Sequence, residues 1–169
     1  MSDAWLPDLL LFKDSNGDWK VYLEKLHQQF LQDFEYSKPT WPNKRVGLKR
    51  HPEYDGKSAT FWHMISEGES EQDRTPDFRR CERIAWPRPI MDEFDQSSLG
   101  ATTCRIHWWC ETRGREVRYM LALDDFSYLV VVADRGEFVL PWTAFTLEYE
   151  HEKRKKRKAW QSYWDKQKS

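Results

Sequence analysis

Between Arg50 and His63 the chain gathers Arg50, His51, Glu53, Asp55, Lys57 and His63 around one turn and the segment after it. Cleaving RNA without a metal needs three things: a base for the 2′-hydroxyl proton, an acid for the leaving oxygen, and cations for the phosphorane. His, Lys and Arg supply them. His63 is the candidate general base or acid, Lys57 a candidate phosphate stabiliser and His51 a reserve acid. The plainer reading has His63 bonded inside the fold, with Arg50 and Lys57 solvated. Arg79, Arg80 and Arg83 form a second cluster. Arg79 and Arg83 share a helix face at i and i+4, where they either clamp a phosphate bidentately or pair with Glu82 and the preceding acids. Lys153-Arg154-Lys155-Lys156-Arg157-Lys158 is a run of six cations. It either neutralises RNA phosphates with release of counterions or forms a solvated helix face. Arg50, Arg79, Arg80, Lys153, Arg154, Lys155, Lys156 and Arg157 are therefore the candidate RNA-binding set.

Two metal patterns are weaker than their letters suggest. Cys104, His107 and Cys110 are spaced C-x2-H-x2-C, with ligand types that zinc prefers. On a strand, however, His107 faces away from both cysteines, which lie roughly 20 Å apart. Buried thiols are the better reading. Asp14-Ser15-Asn16-Gly17-Asp18 resembles the start of a calcium loop, but Trp19 and Lys25 stand where that loop needs Gly and Glu. No metal or other cofactor is expected.

These side chains need elements to hold them. Trp19, Tyr22, Leu23, Leu26, Phe30 and Phe34 recur at three- and four-residue steps, which predicts an amphipathic helix within residues 1–36, its cap in the Asp14–Asp18 turn. Pro39, Pro42, Pro52, Gly47 and Gly56 favour extended segments and turns. Ala59–Ile65 has the content of a strand, with Thr60, Trp62 and Met64 on one face and Phe61, His63 and Ile65 on the other. Pro76 can open a short helix near residues 76–85, which Pro87 and Pro89 then stop. Thr103–Glu111, Glu116–Leu123, Ser127–Ala133 and Glu137–Leu140, with short turns between them, predict an antiparallel meander inside a sheet region spanning 45–145. Trp160, Tyr163 and Trp164 place an aromatic edge on a basic closing helix at 148–166. The expected fold is α+β, with an N-terminal helix, a four- to five-stranded antiparallel sheet and a C-terminal basic helix.

The bulk composition agrees. A chain of 169 residues, 39% hydrophobic and with ten Trp, can bury one sizeable core, so a single domain over 1–169 is expected. The longest apolar runs, Leu9–Phe12 and Tyr128–Ala133, fall far short of the roughly 20 residues that span a bilayer. No basic segment precedes Leu9 and no small-residue cleavage site follows it, so a cytoplasmic location without membrane contact is expected. Three cysteines are too few for a disulfide framework. The net charge of −1 conceals polarity, because Glu67–Asp73 carries four acids opposite the basic run.

The stretch Tyr128-Leu129-Val130-Val131-Val132-Ala133-Asp134-Arg135-Gly136-Glu137-Phe138-Val139-Leu140-Pro141-Trp142-Thr143-Ala144-Phe145 resembles the last hairpin of phage- and toxin-associated nucleases grouped with RelE, barnase, EndoU and the tRNA-cutting colicins. In that family a tyrosine-led strand of Val and Leu precedes a turn and a second strand ending in Thr-Ala-aromatic. Phe61-Trp62-His63 looks like the family's early strand with its His, and Arg118 looks like its sheet arginine. The resemblance implies helices leading into an antiparallel sheet that carries the site, and a metal-independent RNA endonuclease of a phage, prophage, toxin or defence system that leaves a cyclic phosphate. Arg83 or Arg118 would join Lys57 on the phosphate, and Thr143 or Tyr128 would position it through a hydroxyl. RNA and a neutralising protein partner are the implied partners. The alternative is a non-catalytic nucleic-acid- or protein-binding adaptor of a mobile element, in which Trp62, Trp108 or Trp109 stacks on unpaired bases.

Overall fold

A computed structural model describes residues 4–97 and 105–168. The chain is α+β, as its sequence predicts. Helix α1 (Trp19–Leu31) starts where Asp18 accepts the Lys20 and Val21 amides at 3.0 and 3.3 Å, satisfying donors that a first turn leaves unpaired. It buries Tyr22, Leu23, Leu26 and Phe30, and a π-type turn, Gln32–Tyr36, carries the stripe on to Phe34. The short strand β1 (Arg45–Val46) follows.

Ala59–Ile65 is helix α2, not the expected strand. Ser58 caps it by accepting the Phe61 amide at 3.3 Å, and six of its seven residues are buried. Over seven residues, apolar side chains on every face fit a buried helix as well as a strand, so periodicity does not separate the two. Strands β2 (Ser66–Glu67) and β3 (Thr75–Pro76) then pair antiparallel and close the acidic loop between them. Gly68 sits inside that closure, where an added Cβ would lie 2.7 Å from the Asp73 carbonyl oxygen. Helix α3 (Phe78–Glu82) begins after Pro76, capped by Asp77 through the Arg79 and Arg80 amides. Pro87 does not stop a helix but opens one, α4 (Pro87–Ser97). Prolines cost little in a first turn, where the missing N–H would have no helical partner.

Strands β4 (Ile106–Arg113), β5 (Glu116–Leu123), β6 (Tyr128–Asp134) and β7 (Phe138–Thr146) form the predicted meander. β1 adds in parallel to the β7 edge, giving the order β1-β7-β6-β5-β4. β7 runs six residues beyond the expected Leu140, and the expected start of β4 at Thr103 lies outside the described residues. One sheet face carries Ile106, Trp108, Leu121, Leu123, Tyr128, Val130 and Val132 into a core shared with α1, α2 and α4. The other carries Trp109, Met120, Ala122, Leu129 and Val131 under helix α5 (Glu150–Gln167), from which Ala159, Trp160 and Tyr163 pack. No helix among the described residues is long and apolar enough to cross a membrane.

The ladder slips between β6 and β7: Val131 pairs with Thr143 but Val132 with Pro141, so Trp142 is an extra, unopposed residue. Pro141 cannot donate to a ladder, and a bulge tolerates that. The consequence is a local break in alternation, since Val139 and Ala144, five residues apart, enter the same core.

Candidate active site

The bulge, α2, the acidic loop and α3 meet around one cleft of about 420 Å³, lined by His63, Glu71, Arg74, Arg80, Trp142 and Thr143 together with the loop from Glu67 to Ser70. α2 supplies His63 and packs along β7, while the β2–β3 pairing folds the acidic loop back so that Glu71 reaches the imidazole. His63 Nε2 and Glu71 Oε1 are 2.6 Å apart. Burial holds the His63 pKa below its usual value even though the Glu71 bond pulls the other way. Burial alone would raise Glu71, but the hydrogen bond from His63 and the charges of Lys49 and Arg74 outweigh it and lower its carboxyl. Both directions give a neutral imidazole donating to an ionised carboxylate near neutral pH. The Glu71 side chain is 35% exposed and that of His63 only 7%, so the carboxylate is the member of the pair that solvent can reach.

Two guanidiniums share one anchor. The Ser66 carbonyl accepts Arg74 Nη2 at 2.6 Å and Arg80 Nη1 at 2.7 Å. The Ser66 hydroxyl accepts Arg74 Nε at 2.8 Å and donates to the Trp62 carbonyl. Ser66 is buried, so the anchor is fixed by the fold. Burial lowers the Arg74 pKa, and the like charge of Arg80 adds to this against the pull of Glu71. Arg80 also donates to Thr143 Oγ1 at 3.2 Å, and its Nε is buried without a hydrogen-bond partner, 3.8 Å from Asp77. Thr143 Oγ1 in turn donates to the His63 carbonyl at 3.3 Å. The hydroxyl therefore ties β7 to α2 and Arg80, and its proton is already committed.

Trp142 borders the cleft. The His63 ring meets it edge-on at 5.0 Å. Arg118 lies 5.0 Å, Arg135 5.5 Å and Lys49 5.7 Å from its ring centre, within the range of cation–π attraction. Arg118 and Arg135 both pair with Glu116 at 3.0 Å.

Of the residues singled out by sequence, the structure brings His63, Thr143 and Arg80 together and sets Arg118 against Trp142. Tyr128 is sealed in the core against Trp86, burial raises its phenol far out of the physiological range, and it does not line the cleft. Lys57 pairs with Asp55, and Arg83 pairs with Glu82 and covers the Trp86 ring. Arg50 pairs with Glu35 and Arg79 with Glu148. None of these four, nor the exposed His51, lines the cleft. Lys153, Arg154, Lys155, Lys156 and Arg157 lie on α5. Trp108 and Trp109, the proposed stacking residues, are core residues at 7% and 1% exposure. Trp62 is half-buried, its ring against Tyr54 and Phe61.

Sequence reasoning passed over Glu71, Arg74, Ser66, Lys49 and Trp142. The signal for Glu71 and Arg74, eight and eleven residues beyond His63, was the four-acid loop Glu67–Asp73 and its edge, which reads as solvated until β2 and β3 fold it back. On β4, His107 packs with Phe126 and Trp160 while Cys110 joins the opposite core, and Cys104 lies outside the described residues. Among the described residues no three His, Cys, Asp or Glu side chains gather as a cation site. No family model, curated protein or solved structure matches the chain.

Proposed function

We propose that the chain is a metal-independent RNA endonuclease whose active site is this cleft. The reading rests chiefly on one juxtaposition: a carboxylate–imidazole pair at 2.6 Å beside two guanidiniums fixed on a single carbonyl. Glu71, with His63 behind it, takes the proton of the 2′-hydroxyl. The 2′-oxygen then attacks phosphorus, and the bond from phosphorus to the 5′-oxygen breaks. The leaving 5′-oxygen takes a proton from solvent, giving a 2′,3′-cyclic phosphate and a 5′-hydroxyl. Arg74 and Arg80 stabilise the negative charge that grows on the non-bridging oxygens, and they need little reorganisation because Ser66 already holds them. Thr143 acts through Arg80 and His63 as a positioning residue. A purely stacking adaptor is disfavoured, because two of its three candidate rings, Trp108 and Trp109, are buried. The test is total RNA incubated with purified protein in chelator, beside His63→Ala. Cleavage that persists in chelator and vanishes in the variant supports the proposal; intact RNA with wild-type protein overturns it.

A further inference from the structure

Helix α5 divides cleanly. Ala159, Trp160, Tyr163 and Trp164 pack on the sheet, and that face suffices to dock the helix. The outward face holds His151, Arg154, Lys155 and Lys158, all exposed, at spacings of three and four residues that bring them one above another, about 5.4 Å per turn. Together with Arg157 and Gln161 they line a surface recess of about 420 Å³.

Nothing in the fold requires this stripe. Like charges at i and i+4, such as Arg154 and Lys158, oppose helix formation. The nearby acids are spent elsewhere: Glu150 on Lys153, and Glu152 on the Tyr149 amide. Arg154, Lys155 and Lys158 have no carboxylate partner among the described residues. Most cations on the rest of the molecule do, including Lys44, Arg50, Arg79, Arg88 and Arg118. At the head of the stripe Tyr149, 62% exposed, stacks on His151 at 5.8 Å and 14°.

We infer that this face of α5 binds single-stranded RNA, with Arg154, Lys155 and Lys158 on successive phosphates and the Tyr149–His151 stack against a base. Three cations gathered within about one helical turn fit neighbouring phosphates of a flexible backbone, and the aromatic stack gives a base a surface that an acidic peptide would not use. The surface is separate from the cleft and stands whether or not the cleft is catalytic.

The test uses the full chain and a short fluorescein-labelled 2′-O-methyl RNA, which lacks the free hydroxyl needed for internal attack. Anisotropy titrations over a range of salt would compare wild type, Arg154→Ala/Lys155→Ala/Lys158→Ala, Tyr149→Ala and His63→Ala. The triple variant should bind at least about tenfold more weakly, and its log Kd against log salt should be shallower by about 2, from roughly 0.7 for each phosphate no longer neutralised. Its melting temperature should be unchanged or higher, since repulsion is relieved. Tyr149→Ala should weaken binding without altering the salt slope, and His63→Ala should bind as wild type. Unchanged affinity and slope in the triple variant overturn the inference. So does equal affinity of wild type for a polyglutamate peptide of the same charge. Loss of RNA cleavage in His63→Ala with retained binding separates this site's success from the cleft's.

Discussion

In the proposed reaction Glu71 and His63 do together what neither could do alone in this position. The imidazole is too buried to meet a substrate, and the exposed carboxylate gains direction and a lowered pKa from the proton it is given. Glu71→Gln and His63→Ala should each lower kcat/KM on RNA by about 10²–10⁴-fold, the range for loss of a positioned acid–base group. Because the bond to Glu71 opposes the burial that depresses His63, Glu71→Gln should lower the His63 pKa further. NMR titration of the imidazole checks this, and a rise on substitution would show that the pair is not coupled as described. With both groups below their ordinary values, the base form is filled at neutral pH and the rate should fall only on acidification below about pH 6.5. Ser66→Ala keeps the carbonyl that both arginines share but removes the acceptor of Arg74 Nε. A hydrogen bond to a charged group contributes about 1.5–3 kcal/mol, so a loss of about tenfold or more in kcat is expected, with the fold intact by circular dichroism.

Short elements decide where those groups sit. Ser58 caps α2, and Ser58→Ala should cost about 1 kcal/mol in urea unfolding; loosening of α2 would also displace His63, so activity should fall further than stability explains. Trp109, 1% exposed beneath α5, should cost about 3–5 kcal/mol as Trp109→Ala. The long elements were legible in the sequence because their periodicity is unambiguous: α1 from its six-residue apolar stripe, the meander from strands separated by Gly- and Asp-bearing turns, α5 from Trp160, Tyr163 and Trp164. The short ones were not. Ala59–Ile65 buries both faces, so its period fits helix and strand alike, and Pro87 signals a helix start as readily as a stop. His63 and Arg80 were found by residue type, and Thr143 through the hairpin resemblance. Glu71 and Arg74 depend on the two-residue pairing of β2 with β3, too short to leave a pattern, and Trp142 on a bulge that only the register reveals.

Across the described residues charge takes two arrangements: an acidic loop over a cleft of guanidiniums at one site, and a cationic stripe without carboxylate partners on α5 at another. Three histidines, His27, His63 and His107, have pKa values lowered first of all by burial. A histidine held neutral by the fold binds its proton more readily when unfolded, so it contributes stability above the unfolded value of about 6.5 and loses it as pH falls from there toward the folded value. The melting temperature should therefore drop between about pH 7 and pH 5, and His63→Gln should flatten the drop; a melting temperature that is constant or rises on acidification would contradict these burials. Asp33, raised by burial, works in the opposite sense. The most direct measurement for the catalytic account is mass spectrometry of the fragments that the protein releases from one defined single-stranded RNA in chelator. The account predicts a 2′,3′-cyclic phosphate on one fragment and a 5′-hydroxyl on the other; 3′-hydroxyl and 5′-phosphate ends, or an uncut RNA, would contradict it.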